Sequence, residues 1–263
     1  MKKDYIDNAK RFYALHVKGE PLILYNVWDA GTAKTIQAAG AKAIATSSFA
    51  VAAANGYEDG EKIPFARVLE NIANIVDNII LPVTLDFEGG YARSPHDLHE
   101  NILRVIKSGV AGINFEDQII NGNGLYSIPE QCTRIHAVCQ SALSQSFPLF
   151  INARTDIFLK LDQKDHQAKH VDEALERAFA YADAGASGFF VPGLRDDKLI
   201  ELLCKHSPLP VNIMIQTQMP THEQLADLGV ARISYGISPY CQMMSRMQEA
   251  STAVFLHTNG AML

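Results

Sequence analysis

Four segments of this chain share one pattern, in which a helix-like stretch ends at a glycine and an apolar, strand-like run begins shortly afterwards. The four glycines are Gly40, Gly109, Gly185 and Gly229. Glycine readily adopts the left-handed conformation that ends many helices, and a short apolar run is typical of a buried strand. The repeated unit is therefore a helix followed by a strand.

Extending this pattern along the chain predicts strands at 22–27, 42–46, 82–86, 111–116, 149–154, 188–191, 210–215 and 231–235. Helices are predicted at 29–39, 65–78, 96–108, 129–145, 170–184, 195–205, 221–228 and 238–256. Strictly alternating strands and helices form parallel sheets, and eight such units within 263 residues fit a closed (β/α)8 TIM-type barrel of the α/β class. A doubly wound open sheet is the structural alternative.

The composition favours one globular domain with small-molecule partners. No composition break or linker divides residues 1–263, so we predict a single barrel domain in which 237–263 forms a C-terminal helix and tail. A net charge of −6 without a Lys/Arg cluster argues against nucleic acid, and no apolar run approaches the roughly 18 residues of a membrane span. The four cysteines show no CxxC spacing, which favours free thiols and a cytoplasmic location.

Acidic side chains follow two neighbouring predicted strands, at the end where barrels of this kind place their active sites. Because strand residues two apart share a face, Asp86 is expected on the same side as Glu88, and Asn114 on the same side as Glu116. Crowded carboxylates need a divalent cation or an arginine, and an all-oxygen set favours Mg²⁺, or Mn²⁺, over zinc. We therefore predict a metal site at Asp86, Glu88 and Glu116, the alternative being acids that cap helices or pair with Arg154.

Arg154 is predicted to bind a substrate carboxylate, since its planar guanidinium stays charged when buried and binds carboxylates with two hydrogen bonds. The alternative is that it only neutralises neighbouring acids. Ser47 and Ser48 would offer hydroxyl and N–H groups to the same ligand, although an ordinary turn fits equally well.

Two further positions complete the set of predicted substrate contacts. Asp59 lies in a glycine-flanked loop that carries it to the same rim, or forms a plain surface turn. Asn114 is expected to line the cavity, and Asn212 is a weaker candidate because its register on the seventh strand is uncertain. A 2-oxo acid or an enolate would chelate a metal at such a rim well.

Six motifs, taken in order, resemble those of the isocitrate lyase and phosphoenolpyruvate mutase superfamily, over a span from about Leu24 to Tyr235. The motifs are Asn-Val-Trp-Asp-Ala-Gly at 26–31, Ala-Thr-Ser-Ser at 45–48, Gly-Tyr-Glu-Asp-Gly at 56–60, Asp-Phe-Glu-Gly-Gly-Tyr at 86–91, Gly-Ile-Asn-Phe-Glu-Asp-Gln at 112–118 and Asn-Ala-Arg-Thr-Asp at 152–156. The resemblance implies a (β/α)8 barrel that uses Mg²⁺ to break or form C–C or C–P bonds through a pyruvate-like enolate.

The resemblance also implies roles for individual residues. Asp86, Glu88 and Glu116 match the acids of the family's metal site, which act directly or through water. Asp59 matches an essential aspartate beside the substrate, Arg154 a substrate-binding arginine, and the turn at 47–48 the part that receives the carboxylate. Members commonly form tetramers that exchange a C-terminal helix, so a homo-oligomer, dimer or tetramer, is expected, and 237–257 matches that helix.

One loop departs from the pattern of this superfamily. Isocitrate and methylisocitrate lyases carry a Lys-x-Cys-Gly motif after the fourth strand, and phosphoenolpyruvate mutase uses a lysine there. In this chain residues 117–128 contain no Lys, Cys, His or Arg. An enolate would then take its proton from water or from Tyr126, which lies on this glycine-rich loop.

The predicted function is a Mg²⁺-dependent lyase acting on a small 2-oxo or 2-hydroxy dicarboxylate. The alternatives are C–P bond mutase or hydrolase activity, hydroxymethyl transfer as in ketopantoate hydroxymethyltransferase, and non-catalytic binding of a 2-oxo acid. From the sequence we expect Asp59→Ala and Arg154→Ala to abolish turnover while leaving the fold intact.

Overall fold

The computed structural model describes residues 3–256, and in that range eight parallel strands form one sheet. The strands are β1 (Leu22–Leu24), β2 (Ile44–Ala45), β3 (Val83–Asp86), β4 (Gly112–Glu116), β5 (Phe150–Arg154), β6 (Gly188–Phe190), β7 (Val211–Met214) and β8 (Arg232–Ser234). The strands pair in the order β1-β8-β7-β6-β5-β4-β3-β2. A parallel bridge between Val27 and Thr46 joins the two remaining edges, so the sheet is a nearly closed barrel, as predicted.

Helices on the outside of the barrel connect the strands. They are α1 (Lys3–Ala14), α2 (Ala30–Ala38), α3 (Ser48–Ala54), α4 (Phe65–Asn78), α5 (Pro95–Lys107), α6 (Ile128–Ser144), α7 (Ala168–Asp183), α8 (Asp197–His206), α9 (His222–Asp227) and α10 (Ser238–Leu256). Short 3₁₀ turns at Ile157–Leu159 and Gln163–Asp165 follow β5. All eight predicted helices are present, whereas α1 and α3 were not predicted.

The side chain of Asn26 closes the seam at which the barrel is most weakly paired. Its Nδ2 donates to the Thr46 carbonyl oxygen at 2.8 Å, beside β2. Its Oδ1 accepts from the backbone N–H groups of Tyr235 and Gly236, at 3.0 and 2.9 Å, beyond β8. Because Asn26 is buried and satisfied on both sides, one amide holds three strand ends together.

Helix α1 packs against β5. Phe12 is fully buried and meets the Phe150 ring edge-on at 5.5 Å between centroids. His16 stacks on the same ring at 3.9 Å, and its Nδ1 contacts the Phe12 carbonyl oxygen at 2.8 Å, which requires a proton on Nδ1. Burial, and then the charge of Arg232, lower the pKa of His16 to about 3.

We predict that the protein loses stability as the pH falls below 6.5, because His16 stays neutral in the folded chain and is protonated in the unfolded one. The free energy of unfolding should fall by up to about 1.4 kcal/mol per pH unit from this residue alone, between pH 6.5 and 3. Urea unfolding at several pH values measures this slope. His16→Gln should make the slope shallower, whereas the exposed His206→Gln should not, and equal slopes in both variants would contradict the assignment.

Candidate active site

One half-buried guanidinium holds two buried acids together at the ends of β4 and β5. Arg154 Nη1 lies 2.9 Å from Glu116 Oε2. Its Nε and Nη2 donate to the two carboxylate oxygens of Asp156, at 2.6 and 2.9 Å. Burial opposes the charge of Arg154, but the carboxylates of Glu116 and Asp156 hold its pKa above the usual value. Arg154 therefore neutralises its neighbours, while one N–H on each terminal nitrogen stays available for a ligand.

Asp86 ends β3 beside this pair. Its Oδ2 accepts from the Ser48 backbone N–H at 3.0 Å, and its own N–H donates to the Thr46 hydroxyl at 2.9 Å. Its Oδ1 is buried and accepts no hydrogen bond from the residues that the structure describes. A buried carboxylate oxygen without a donor is costly, so this atom calls for a cation or a water molecule.

Glu88 reaches the same rim by a route that the sequence did not predict. Strand β3 ends at Asp86, and Glu88 has a left-handed backbone with φ 50°, so strand alternation does not orient it. Its Oε2 accepts from the Glu61 N–H at 2.8 Å, and its Oε1 accepts from the Tyr91 hydroxyl at 3.0 Å. Burial, and then the charges of Asp86 and Asp59, raise the pKa of Glu88 to about 8.

The loop between α3 and α4 brings Asp59 to these acids. The Asp59 carboxylate accepts from the Ser48 side chain and from the Gly60 backbone. Loss of hydration among these neighbours, and then the charge of Asp86, raise its pKa. Asp59 therefore lies close enough to Asp86 for their charges to interact, although its side chain is exposed, and its role beside the substrate stays a prediction. Ser47 caps α3 by accepting from the Ala50 N–H at 3.4 Å.

The charges of these acids act on one another, but the side chains do not form a compact set of metal ligands. Burial raises the pKa of Glu116, and the charges of Asp86 and Glu88 act on it in the same direction. Within residues 3–256 no three His, Cys, Asp or Glu side chains are close enough to hold an ion together. This arrangement fits Mg²⁺ that takes few direct carboxylates and several waters. The free Oδ1 of Asp86 is the atom best suited to direct ligation.

The predicted substrate contacts Asn114 and Asn212 lie deeper, inside the barrel. Asn114 Oδ1 accepts from Asn152 Nδ2 at 2.9 Å and from Arg232 Nη2 at 3.0 Å. Asn212 is fully buried, and its Oδ1 accepts from the Ser234 hydroxyl at 3.1 Å. Both oxygens therefore bind strand neighbours, and a contact of either residue with substrate stays a prediction.

Tyr126 lies at the base of the loop after β4. Its ring covers the Arg134 guanidinium at 4.3 Å, and its carbonyl oxygen accepts from Arg177 Nη1 at 3.0 Å. With Glu61 and Tyr91 it lines a cavity of about 180 Å³. In the part of the chain that the structure describes, no hydrogen bond joins its hydroxyl to the acids of the rim, so its proposed role as an acid stays a prediction.

Two residues of the site were not assigned a role from the sequence. Asp156 accepts hydrogen bonds from Arg154 and lies two residues after it in the chain. This spacing is the only local sequence feature that indicates the contact. Glu61 has φ 59° and accepts from the Tyr91 N–H at 2.7 Å, which fixes the turn that carries Glu88. Nothing in the local sequence indicates this contact, because it joins two different loops.

Comparisons with known proteins identify the family to which this chain belongs. Residues 12–255 match the model of the family described as phosphoenolpyruvate phosphomutase, and the chain therefore belongs to this family, within the isocitrate lyase and phosphoenolpyruvate mutase superfamily. This superfamily comprises lyases and mutases, and the predicted resemblance is confirmed. Within residues 3–256 no helix has both the length and the apolar character needed to cross a bilayer.

Three similar proteins illustrate this kinship. A crystal structure from Burkholderia cenocepacia J2315, provisionally assigned as a phosphonomutase, has a TM-score of 0.92 and 44% identity, covering 97% of this chain and all of that one. An uncharacterized Mycobacterium tuberculosis protein is 31% identical, over 92% of this chain and 88% of its own length. The 2-methylisocitrate lyase of Escherichia coli K12 is 28% identical, over 92% and 82%.

We predict that Arg154→Met destabilises the fold, contrary to the expectation from sequence, because Glu116 and Asp156 would be left buried without a counter-charge. The loss should be about 3–5 kcal/mol in the free energy of unfolding, measured with urea. The matched control is Arg67→Met, which removes an exposed pair with Glu70 and should cost less than about 1 kcal/mol. Equal stabilities of the two variants would refute the neutralising role.

Proposed function

We propose that this protein is a Mg²⁺-dependent lyase that cleaves a C–C bond of a small 2-oxo or 2-hydroxy dicarboxylate through a pyruvate-like enolate. The observation that carries the proposal is the buried, unpartnered Oδ1 of Asp86, set among acids beside a half-buried arginine. Kinship with 2-methylisocitrate lyase supports the lyase class. The loop after β4, residues 117–128, contains no Lys, Arg, His or Cys. It therefore lacks the Lys-x-Cys-Gly motif that the resemblance implies for 2-methylisocitrate lyase.

Asp86, Glu88 and Glu116 would hold the ion, Asp86 directly and the others directly or through water. When bound, Mg²⁺ or Mn²⁺ would supply Lewis acidity that stabilises the negative charge developing beside the substrate carbonyl. It would also offset the repulsion and desolvation that now raise the pKa values of Glu88 and Glu116.

The residues of the chain itself orient the substrate and move protons. Arg154 binds a substrate carboxylate through its two unused N–H groups, and the Ser47–Ser48 turn accommodates the same carboxylate or its neighbour. Asp59 takes up or holds a proton beside the reacting carbon. Its raised pKa brings it nearer to the working pH, which suits proton transfer. Water or Tyr126 donates a proton to the product enolate, and Asp59 releases the proton that it took up to solvent.

Turnover of a panel of 2-oxo and 2-hydroxy dicarboxylates, with and without Mg²⁺, tests this function through release of pyruvate or glyoxylate. Activity that requires the metal and disappears in Asp59→Asn supports it. Metal-independent turnover, or full activity in that variant, would overturn it.

We predict that Asp86→Asn weakens Mg²⁺ binding at least about tenfold, because the amide loses the charge that ligates the ion and at most one of its atoms can still do so. Titration calorimetry in the presence of oxalate, an enolate mimic, measures the affinity. The exposed Asp172→Asn makes the same charge change far from the rim and should bind like wild type. Unchanged affinity in Asp86→Asn would remove this residue from the metal site.

C–P chemistry is the second candidate function. The matching family model is described as phosphoenolpyruvate phosphomutase, and the Burkholderia cenocepacia structure is provisionally assigned as a phosphonomutase. The same Arg154 and acid rim would accommodate a phosphonate beside the 2-oxo group. Phosphorus NMR of phosphonopyruvate mixed with the enzyme distinguishes this activity from C–C cleavage.

We also propose that the protein forms a homo-oligomer by exchange of α10. Only Pro239 is buried among the described residues of this helix, whereas Met247 and Phe255 are 60% and 78% exposed. An apolar groove of about 510 Å³ lies between β1 and α2, where Ile23 is 41% exposed although it belongs to a barrel strand. In this proposal the groove receives the α10 helix of a second copy.

We predict that Ile23→Asp converts the oligomer to a monomer, because a carboxylate in the groove would be buried by the partner's helix. Light scattering after size-exclusion chromatography measures the mass. Ile80 is 77% exposed outside the groove, so Ile80→Asp is the control and should leave the mass unchanged. A wild-type protein that is monomeric, or an oligomeric Ile23→Asp variant, would contradict the exchange.

A further inference from the structure

A second cavity, of about 500 Å³, lies over the carboxyl ends of β5 to β8. The loops after all four strands line it, and none of Asp59, Asp86, Glu88 or Glu116 does so. The mouth of the barrel is therefore divided into an acidic half and a half without carboxylates. The second half is much larger than a pyruvate-like group requires.

The wall of this cavity is polar and apolar in about equal parts. Phe158, Leu161 and Met214 supply apolar surface, and Arg195 is the only Lys, Arg, Asp or Glu side chain among the described residues that line it. Arg195 Nη1 donates to the neutral Gln163 Oε1 at 3.1 Å. No carboxylate in residues 3–256 lies within ion-pair distance of Arg195, and its Nε is buried without an acceptor.

Two further polar side chains of the same wall also have unused hydrogen-bonding capacity. His166 Nε2 contacts the Phe158 carbonyl oxygen at 3.0 Å, while its Nδ1 is buried without a partner among the described residues. Gln216 Oε1 is likewise buried and unpaired in that part of the chain. Natural proteins leave few buried polar atoms unsatisfied, so three in the wall of one cavity point to a ligand or to ordered water.

Two glycines fix the shape of this cavity. Gly193 has φ 93°, and a Cβ atom there would lie 2.9 Å from the backbone of Phe158. Gly236 has φ 55°, and its Cβ would lie 2.7 Å from Met214 Sδ. Gly193 therefore lets the loop after β6 approach the backbone that follows β5, whereas at Gly236 the positive φ favours glycine and the Met214 side chain is free to shift.

We propose that this cavity binds the far end of the substrate, with Arg195 paired to its second carboxylate and the intervening hydrocarbon packed on Phe158, Leu161 and Met214. The proposal rests on the proposed function, and it narrows the substrate to a diacid whose second carboxylate is separated from the reacting carbon by a hydrocarbon spacer. An arginine without an acidic partner, close to apolar surface in the same wall, is suited to a carboxylate attached to a hydrocarbon chain.

Matched ligands test this role. 2-Oxoadipate and 2-oxohexanoate have equal length and differ in the terminal carboxylate, so calorimetry with Mg²⁺ isolates the contribution of that group. We expect wild-type protein to bind the diacid at least about tenfold more tightly, a difference of about 1.4 kcal/mol. Shorter and longer homologous pairs locate the optimal spacer.

Arg195→Gln should abolish the preference for the diacid and leave oxalate affinity unchanged. Arg195→Lys should retain part of the preference, because the charge remains while the planar fork is lost. Arg67→Gln changes the net charge equally at an exposed position and should behave like wild type. A diacid preference that persists in Arg195→Gln at every length, or that is missing from wild type at every length, would overturn the proposal.

The failure of the proposed function gives a different result. In that case neither oxalate nor 2-oxo acids bind with Mg²⁺. Adipate and hexanoate lack the 2-oxo group and differ only in a terminal carboxylate or methyl group, so their affinities still test the role of Arg195. Arg195-dependent preference for adipate then supports the second cavity alone, and equal binding of the two acids overturns it.

Discussion

The ion pairs of Arg154 with Glu116 and Asp156 are the interaction on which the rest of the site depends. Buried carboxylates repel one another and lose hydration, and an arginine at the ends of β4 and β5 offsets both costs without a ligand. Asp86 and Glu88 lie in the same field but have no such partner. The chain thus gives Glu116 and Asp156 an internal counter-charge and leaves Asp86 and Glu88 without one of their own.

The two halves of the barrel mouth have complementary electrostatics. Strands β2 to β5 deliver the acids, which suit a metal and an enolate, whereas the loops after β5 to β8 offer apolar surface and Arg195. A substrate lying across the mouth would place its reacting end at Asp86 and its second anionic end at Arg195. Because both halves rest on strands of one sheet, the barrel sets the spacing of the strand ends from which their loops begin.

Much of the fold was predictable because it depends on local signals. Glycines after helices and apolar runs located all eight strands to within a few residues, and strand-end polarity located Asp86, Glu116 and Arg154. The short helix α3 was missed because its alanine-rich sequence gives no amphipathic period over so few residues. The loop contacts of Glu61 with Glu88 and Tyr91 were also missed, since they join segments about 30 residues apart.

By itself, the sequence determined the eight alternating units, the family and the residue types at the strand ends, because hydrophobic period and turn chemistry act over a few residues. Only the tertiary structure decided that Arg154 is already paired with Asp156, that Glu88 arrives through a left-handed turn, and that Asn114 binds strand neighbours. The physical reason is that burial and charge pairing depend on which distant segments meet, and no local pattern records those contacts.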